Sequence, residues 1–258
     1  MTSNSRLASY WRPWSLIWPS ICLHWDVLKA AIRKDGLSAL AHPRQIRNAA
    51  LAELLSVTSH GFIAYENTTI VPTLVKAARG VILDLGPGPG NQVHRFELSN
   101  VEFIYGVEPN AHYKKGMDRK LAESGLSARY QFIPCGIEDS DVLRNSGVKE
   151  GSMDTVLSIQ VMCAVEDPRL VMKEVYKLLK PGGRFIFWEH GWSKDSVTNA
   201  AQAFWNPAWS TFVGCSMIRD VKADILSAGE WENPGEIEEP VDPCSCLPRI
   251  QGVLIKRS

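Results

Sequence analysis

Residues 83–90 read LDLGPGPG, and this stretch decides the fold. An apolar run over residues 81–85 leads into three glycines at alternate positions, Gly86, Gly88 and Gly90. Glycine lets the backbone turn sharply and lets a ligand approach the main chain, which is typical of the turn after the first strand of an α/β sheet. The stretch therefore predicts a ligand-binding turn at the end of a buried strand.

Short apolar runs alternate with amphipathic stretches from residue 80 onward, which indicates β-α-β units and a parallel sheet. The predicted strands cover residues 81–85, 102–107, 130–133, 154–159, 184–188, 231–237 and 250–255, and the predicted helices cover 92–98, 111–123, 140–145, 168–179 and 220–228. The helix over 168–179 has the clearest ends, because Asp167 can cap it and Pro168 suits its first position. The last two strands are joined by a loop rich in Glu and Pro, so we expect an antiparallel pair at the sheet edge.

The N-terminal region has a different pattern. Residues 49–57 are mostly strong helix formers with an apolar face, and Gly61 follows as a stop. A chain of 258 residues can bury one large core. We therefore expect a helical lid or substrate-binding extension over residues 1–75 and a catalytic core over residues 76–258.

Four tryptophans crowd the N-terminal segment: Trp11, Trp14, Trp18 and Trp25. The charge-free stretch over residues 13–23 is shorter than the roughly 20 apolar residues of a spanning helix, and prolines 13 and 19 interrupt it. No cleavage site of a secretory signal follows. Two interpretations stay open: a lid over the site, which we favour because such amphipathic faces more often serve packing, and a monotopic anchor through residues 10–30.

Charge and cysteine content narrow the function classes. The 28 basic and 28 acidic residues give a net charge of +0, so there is no basic footprint for nucleic acid and a small-molecule partner is expected. The six cysteines suggest reduced thiols of a cytoplasmic protein, which would meet an intracellular membrane only peripherally. Cys244 and Cys246 have no second Cys/His pair at zinc-ligand spacing nearby, so no metal site is predicted.

Two acids flank the glycine turn. Asp84 precedes it, and Glu108 ends the next predicted strand, where an acid can accept hydrogen bonds from both ribose hydroxyls of a nucleoside. The dinucleotide pattern G-x-G-x-x-G would need glycine where this chain has Asn91, and Asp84 would repel a pyrophosphate. Asp84 can instead meet the amino-acid end of S-adenosylmethionine (SAM), so the pattern favours SAM.

Four motifs resemble those of the class I SAM-dependent methyltransferases, in the same order. They are LDLGPGPG over 83–90, YGVEPN over 105–110, GSMDTV over 151–156 and LLKPGG over 178–183. The resemblance implies a Rossmann-like α/β fold with a mostly parallel seven-stranded sheet of order 3-2-1-4-5-7-6, the seventh strand antiparallel. It also implies SAM as cofactor.

The same resemblance implies a set of cofactor-binding residues. They are Tyr65, Asp84, Gly86, Gly88, Gly90, Glu108, Pro109, Ile137, Glu138, Gln160 and Val161. Ile137 stands where an acid often accepts the adenine amino group, so Glu138 and main-chain groups would substitute for it. Tyr65 resembles a tyrosine that closes over the cofactor, and the alternative for it is a core position.

A second resemblance lies beyond the fifth predicted strand. The sequences WEH over 188–190, NPAW over 206–209, GCSMIR over 214–219 and PRIQG over 248–252 are similar to those of the membrane-associated methyltransferase-like thiol methyltransferases. That family carries a hydrophobic N-terminal segment. Pro89 stands where the family usually has threonine.

Methyl transfer needs alignment and exclusion of water more than a catalytic group, although a base helps an acceptor that must lose a proton. His190 is the candidate base, with a capping or loop role as its alternative. Glu189 could orient His190 or touch the cofactor. Three tryptophans are expected to wall an apolar acceptor pocket, with plain core packing as the alternative: Trp192, Trp205 and Trp209. His94 and His112 are expected to be structural or exposed.

Three functions remain, the last of which is an adaptor whose tryptophan-rich N-terminus binds a membrane or a partner. The first is SAM-dependent methyl transfer to sulfur or oxygen of a small apolar acceptor. The second is a non-methylating member of the fold that catalyses a cyclisation or rearrangement in secondary metabolism, because an intact cofactor turn indicates binding and not transfer.

Overall fold

The computed structural model describes residues 3–239 and 245–258, and a mixed sheet forms its centre. The strands are β1 (Gly80–Leu85), β2 (Val101–Val107), β3 (Tyr130–Ile133), β4 (Met153–Ile159), β5 (Leu179–His190) and β6 (Arg249–Ile255). Their order is β3-β2-β1-β4-β5-β6, in which the first five run parallel and β6 pairs antiparallel with β5. The predicted Rossmann-like, mostly parallel α/β fold is confirmed.

The strand count corrects the prediction, because the sheet has six strands over the described residues and not seven. The run over 231–237 makes only isolated bridges, Trp231 with Lys256 and Glu238 with Gln251. A 3-10 turn, Pro234–Glu236, lies between the bridges. Proline lacks the N–H that a ladder needs and glycine weakens a strand, so this run cannot continue the sheet.

Nine α-helices lie in the described part of the chain. They are α1 (Ser3–Trp11), α2 (Trp14–Asp35), α3 (Pro43–Glu66), α4 (Val71–Lys76), α5 (Lys114–Ser124), α6 (Ser140–Asn145), α7 (Pro168–Leu178), α8 (Ser196–Phe212) and α9 (Val221–Leu226). The start of α7 is as predicted, because the Asp167 carboxylate accepts hydrogen bonds from the main-chain N–H groups of Arg169 and Leu170.

The predicted helix over 92–98 is wrong, since only a 3-10 turn, Val93–Arg95, forms there. Gln92 and Arg95 both donate hydrogen bonds to Glu66 on α3. These contacts to a distant segment outweigh the local helix propensity of the stretch. The glycine turn is therefore followed by an irregular segment that is tied to the N-terminal helices.

Helices fill the N-terminal region, as expected. Helix α2 continues through Pro19, so the expectation that this proline interrupts the segment is wrong. One face of α2 is buried at Ile17 and Ser20, while Trp14, Trp18 and Trp25 are exposed. Among the described residues, none of the helices combines the length and apolarity needed to span a bilayer.

Apolar side chains cover both faces of the sheet. One face packs Leu83, Phe185 and Phe187 under α7 and α9, and the other packs Ile104 and Ile186 under α4 and α5. The strands are thereby held in a fixed register, and the carboxyl ends of β1, β4 and β5 come together below α2 and α3. The turns that leave these ends build the site.

Candidate functional site

A cavity lies where the carboxyl ends of β1, β4 and β5 meet the N-terminal helices. Its polar wall includes Asp84, Gly86, Gly88, Gln160, His190 and Arg249. Leu16 on α2 and Leu55 and Phe62 on α3 supply an apolar wall. The sequence predicted the glycine turn in this cavity, whereas these three apolar residues carried no local signal for the site.

The glycine turn adopts a backbone that only glycine tolerates well. Gly86, Gly88 and Gly90 have φ values of 56, 53 and 76 degrees. A Cβ on Gly86 would lie 2.7 Å from Val161 Cγ1, whereas a Cβ on Gly88 would meet no atom within 4 Å. Gly88 therefore leaves open space at the cavity, and a ligand can reach the main chain there. Gly90 packs against the core and does not line the cavity.

Glu108 stabilises the glycine turn through hydrogen bonds. Its two carboxylate oxygens accept hydrogen bonds from the main-chain N–H of Gly88 at 3.1 Å and of Asn110 at 2.8 Å. Burial raises the pKa of Glu108 to about 7, against the effect of these two donors. The carboxylate lies behind the turn, and the adjacent Pro109 is exposed. Neither residue lines the cavity.

Asp84 is the buried acid of the cavity wall. The Tyr130 hydroxyl donates a hydrogen bond to Asp84 Oδ2 at 3.0 Å. Gly106 makes room for this contact, because a Cβ there would lie 2.1 Å from the Tyr130 hydroxyl oxygen. Burial raises the pKa of Asp84 to about 7, with a further contribution from the charge of Glu108. A cationic ligand at this wall would favour the ionised form.

Glu66, at the end of α3, joins the lining in a buried network that the sequence did not reveal. Its Oε2 accepts hydrogen bonds from Arg95 Nη1 at 2.7 Å and Gln92 Nε2 at 2.9 Å, and its Oε1 accepts from Gln160 Nε2 at 3.0 Å. Gln160 has a φ of 61 degrees, which is rare for a residue other than glycine. The network connects the helical region to the loop after β4.

The other predicted cofactor residues lie around the cavity and not on its surface. Tyr65 is half exposed, with its ring 6.2 Å from that of Trp188. Val161 is buried beneath Gly86. Ile137 is part of the core and Glu138 is exposed, so neither reaches the cavity.

Glu189 holds the loop after β4. It is fully buried, and its carboxylate accepts hydrogen bonds from Ser158 Oγ and from the main-chain N–H groups of Val161 and Met162. Burial raises the pKa of Glu189 to about 7, against these donors. Glu189 does not line the cavity, so its position is that of a support for the loop.

His190, the next residue, faces the cavity beside two cysteines. Its Nε2 lies 3.6 Å from Cys215 Sγ, and its Nδ1 is buried without a hydrogen-bond partner in the described structure. Trp209 Nε1 donates to Cys215 Sγ at 2.9 Å. Hydrogen bonds from Cys163, His190 and Trp209 outweigh burial and hold the pKa of Cys215 well below its usual range.

Two of the three tryptophans do not line the cavity, and one of these two takes its core alternative. Trp209 lines the cavity, whereas Trp205 Nε1 donates to the main-chain carbonyl of Tyr10 and its ring packs under the N-terminal helices. Trp192 is half exposed at a different cleft, because its loop turns away after β5. His94 and His112 are exposed, as predicted.

Known proteins are similar to this chain in sequence. A family profile described as a methyltransferase domain matches residues 83–187, which include the glycine turn and Asp84. Human thiol S-methyltransferase TMT1B is 30% identical over 186 residues, which cover 68% of this chain and 70% of the relative. The chain belongs to the class I SAM-dependent methyltransferases. It is related within them to the thiol S-methyltransferases.

Further comparisons agree with this assignment. Rat thiol S-methyltransferase TMT1B is 31% identical over 176 residues, which cover 63% of this chain and 67% of the relative. The structure of an O-methyltransferase family protein from Burkholderia thailandensis has a TM-score of 0.55 at 16% identity and covers 97% of this chain and 71% of its own. At that identity the structural likeness shows the fold of the methyltransferase and nothing finer.

SAM is the cofactor of this methyltransferase, and the cavity fits it. A neighbour in fold, geranyl diphosphate C-methyltransferase from Streptomyces coelicolor, carries S-adenosyl-L-homocysteine, with a TM-score of 0.50 at 14% identity over 72% of this chain and 74% of its own. Here the open space at Gly88 admits a ligand to the main chain. Asp84 places a buried carboxyl group on the cavity wall.

Proposed function

We propose that the protein methylates the sulfur of a small apolar thiol. One observation carries the proposal: a single cavity holds Asp84 and Gly88 on one wall, His190 on another, and apolar side chains around them. The cofactor end and the acceptor end of a methyl transfer can therefore meet in one enclosed space. The relationship to thiol S-methyltransferases supports sulfur over oxygen as the acceptor atom.

Each cofactor residue has a role in this proposal. SAM supplies the methyl group and the sulfonium leaving group when it is bound. Asp84 accepts hydrogen bonds from the ammonium group of its amino-acid end, and Gly88 lets it lie against the main chain. Glu108 accepts from the ribose hydroxyls once the turn adjusts to the ligand. Gln160, held by Glu66, borders the methionine end of the cofactor.

The supporting residues complete the cofactor site. Glu189 and Val161 keep the loop after β4 in position through the hydrogen bond between them. Tyr65 closes over the cofactor from α3, next to Trp188. The adenine extends beyond the cavity toward main-chain groups near Ile137 and Glu138.

The acceptor end excludes water and receives the proton. Leu16, Phe62 and Trp209 enclose apolar space, where an acceptor can align with the methyl group. A free thiol has a pKa of about 8.5, so it is mostly protonated at neutral pH and gains from a group that takes its proton. In the simplest form of the reaction, His190 accepts that proton.

Residues 1–75, which include the N-terminal helices, act as a lid over the cavity. Leu16 on α2 and Leu55 and Phe62 on α3 line the cavity, which supports this role. The tryptophans on the outer face of α1 and α2 are exposed and available to a membrane surface, which supports peripheral contact there.

Detection of S-adenosyl-L-homocysteine after incubation with SAM and a panel of apolar thiols and phenols of matched size tests the proposal. We expect product with thiols and an increased KM for the thiol in Leu16→Asp, because the charge would lie in the apolar wall. Leu37→Asp, at an exposed position, is the matched control and should leave KM unchanged. Tight SAM binding without methylation of any thiol would refute the proposal.

A further inference from the structure

Three side chains of metal-ligand type meet in the cavity wall. Cys163 lies in the loop after β4, His190 at the end of β5 and Cys215 beyond α8, and all three line the cavity. Their ligand atoms lie within 4.8 Å of one another. Among the described residues, no fourth His, Cys, Asp or Glu joins the group.

We propose that Cys163, His190 and Cys215 bind one zinc ion whose fourth coordination position is open to the acceptor. The inference deepens the proposed thiol methylation and rests on it. Two cysteines and one histidine are a ligand set of catalytic zinc, which keeps a fourth position for water or substrate. Structural zinc sites, in contrast, have four protein ligands.

The distances suit this ion. Tetrahedral zinc with bonds of about 2.0–2.3 Å holds its ligand atoms roughly 3.5–3.8 Å apart. His190 Nε2 and Cys215 Sγ are already 3.6 Å apart, so the pair needs no rearrangement. Since every pair lies within 4.8 Å, a contraction of about 1 Å at most brings Cys163 into the same sphere.

The polar groups around the cluster are also incomplete without an occupant. Nε and Nη1 of Arg249 have no hydrogen-bond partner, although both atoms are shielded from solvent. Buried polar atoms of this kind are rare and indicate a missing ion, water or ligand. A water or thiolate bound to the zinc ion would offer an acceptor to these two donors.

Charge balance gives Arg249 a role at this site. Two cysteine thiolates neutralise one Zn²⁺, and a third thiolate from the acceptor leaves one negative charge in excess. Arg249 lines the same cavity, with its guanidinium carbon 4.2 Å from the centre of the Trp188 ring. Its positive charge can offset the charge of the bound acceptor, and this favours a thiol over an uncharged ligand.

The step conserves atoms and charge. The acceptor RSH displaces the zinc-bound water and releases its proton to solvent, because zinc binding deprotonates a coordinating thiol. A sulfur lone pair then forms the new bond to the methyl carbon as the bond from that carbon to the sulfonium sulfur breaks. The electron pair of the broken bond stays on the sulfur of S-adenosyl-L-homocysteine. The neutral thioether is a weak ligand, and water replaces it on zinc.

Metal analysis of the full-length protein tests the site. The protein is loaded with ZnCl2 under a thiol-free reductant, desalted, and measured by inductively coupled plasma and native mass spectrometry. We expect one zinc per chain, and a more than tenfold lower occupancy in Cys163→Ser and Cys215→Ser. Cys22→Ser is the matched control, since this free cysteine is exposed on α2 and should leave occupancy unchanged.

Cobalt substitution provides the second readout. Co²⁺ bound to two thiolates and a histidine should give a tetrahedral absorption spectrum that changes when an apolar thiol is added. Absence of stoichiometric zinc, retention of zinc by both serine variants, or a Cys163–Cys215 disulfide in the reduced, zinc-treated protein would overturn the site.

The two proposals fail in distinguishable ways. Thiol methylation by the zinc-free protein would show that the reaction does not need zinc. His190 would then remain the base, and the proposed function would stand. Zinc binding without methylation of any thiol would keep the metal site and refute its role in thiol activation. Calorimetry with SAM should give the same affinity in the serine variants as in the parent, which checks that they are folded.

Discussion

The affinity for SAM should rise with pH, and Asp84 should cause the rise. The pKa of this carboxyl is raised to about 7 by burial, so the free protein holds it largely protonated below neutral pH. The ammonium group of SAM favours the ionised form, and binding must therefore release a proton from Asp84. The relevant window lies between pH 5.5 and 7, where the α-amino group of SAM stays protonated.

The size of the effect follows from the ionised fraction. With a pKa of about 7, Asp84 is about 3% ionised at pH 5.5 and about half ionised at pH 7, a roughly fifteenfold difference in affinity or about 1.6 kcal/mol. Glu108, whose pKa is also raised to about 7, adds to the slope if the ribose requires its ionised form. The stability of the free protein shows the opposite trend. Asp84 holds its proton more tightly in the folded than in the unfolded state, so the free energy of unfolding falls as pH rises from about 4 to 7.

Titration calorimetry at pH 5.5, 6.2 and 7.0, in buffers of different ionisation enthalpy, measures both affinity and proton release. Asp84→Asn should bind SAM more weakly at pH 7. Its affinity for SAM should also lose the part of the pH dependence that Asp84 causes. It should also raise the thermal midpoint of the free protein at pH 7, because a buried charge is removed. Asp118→Asn is the control, because Asp118 is exposed on α5. Equal affinity at pH 5.5 and 7, or proton uptake on binding, would refute the reasoning.

Three further outcomes are expected. In urea titrations, Gly106→Ala should lower the free energy of unfolding by about 1–3 kcal/mol, since a methyl group there displaces the tyrosine that donates to Asp84. The same variant should bind SAM more weakly. Gly116→Ala, with open space on α5, is the control and should be neutral or slightly stabilising. Glu66→Gln should cost about 3 kcal/mol or more because a buried guanidinium loses its anionic partner, while Glu53→Gln, exposed on the same helix, should change nothing measurable by denaturation. Trp18→Ser should reduce co-sedimentation of the full chain with phosphatidylcholine vesicles several-fold; equal sedimentation of the two proteins would exclude a membrane role for this tryptophan.

Local patterns predicted the parts of the fold that local chemistry determines. The glycine turn follows from a backbone that other residues adopt poorly, and the start of α7 follows from a capping aspartate and a proline one residue apart. The segment after the glycine turn was predicted wrongly, because Gln92 and Arg95 donate hydrogen bonds to Glu66, which is distant in sequence. A propensity summed over a short window contains no information about such a partner.

The candidate site divides in the same way. Asp84 lies within a recognisable motif, whereas Glu66 has no motif and reaches the cavity only because α3 ends there. Zinc ligands are recognised in a sequence by close spacing, as at Cys244 and Cys246, of which Cys244 lies outside the described residues. Cys163 and Cys215 are brought together by the packing of the chain after α8 against the loop after β4, which spacing in sequence does not reveal.

The loop after β4 links the two ends of the reaction. Its first residue, Gln160, has an unfavourable backbone conformation and is held on one side by Glu66. On the other side Glu189 holds the next two main-chain N–H groups, at Val161 and Met162. Cys163 follows directly, so the position of its thiol depends on both carboxylates. The two carboxylates thus fix Gln160 at the cofactor wall and Cys163 at the acceptor wall within one short loop.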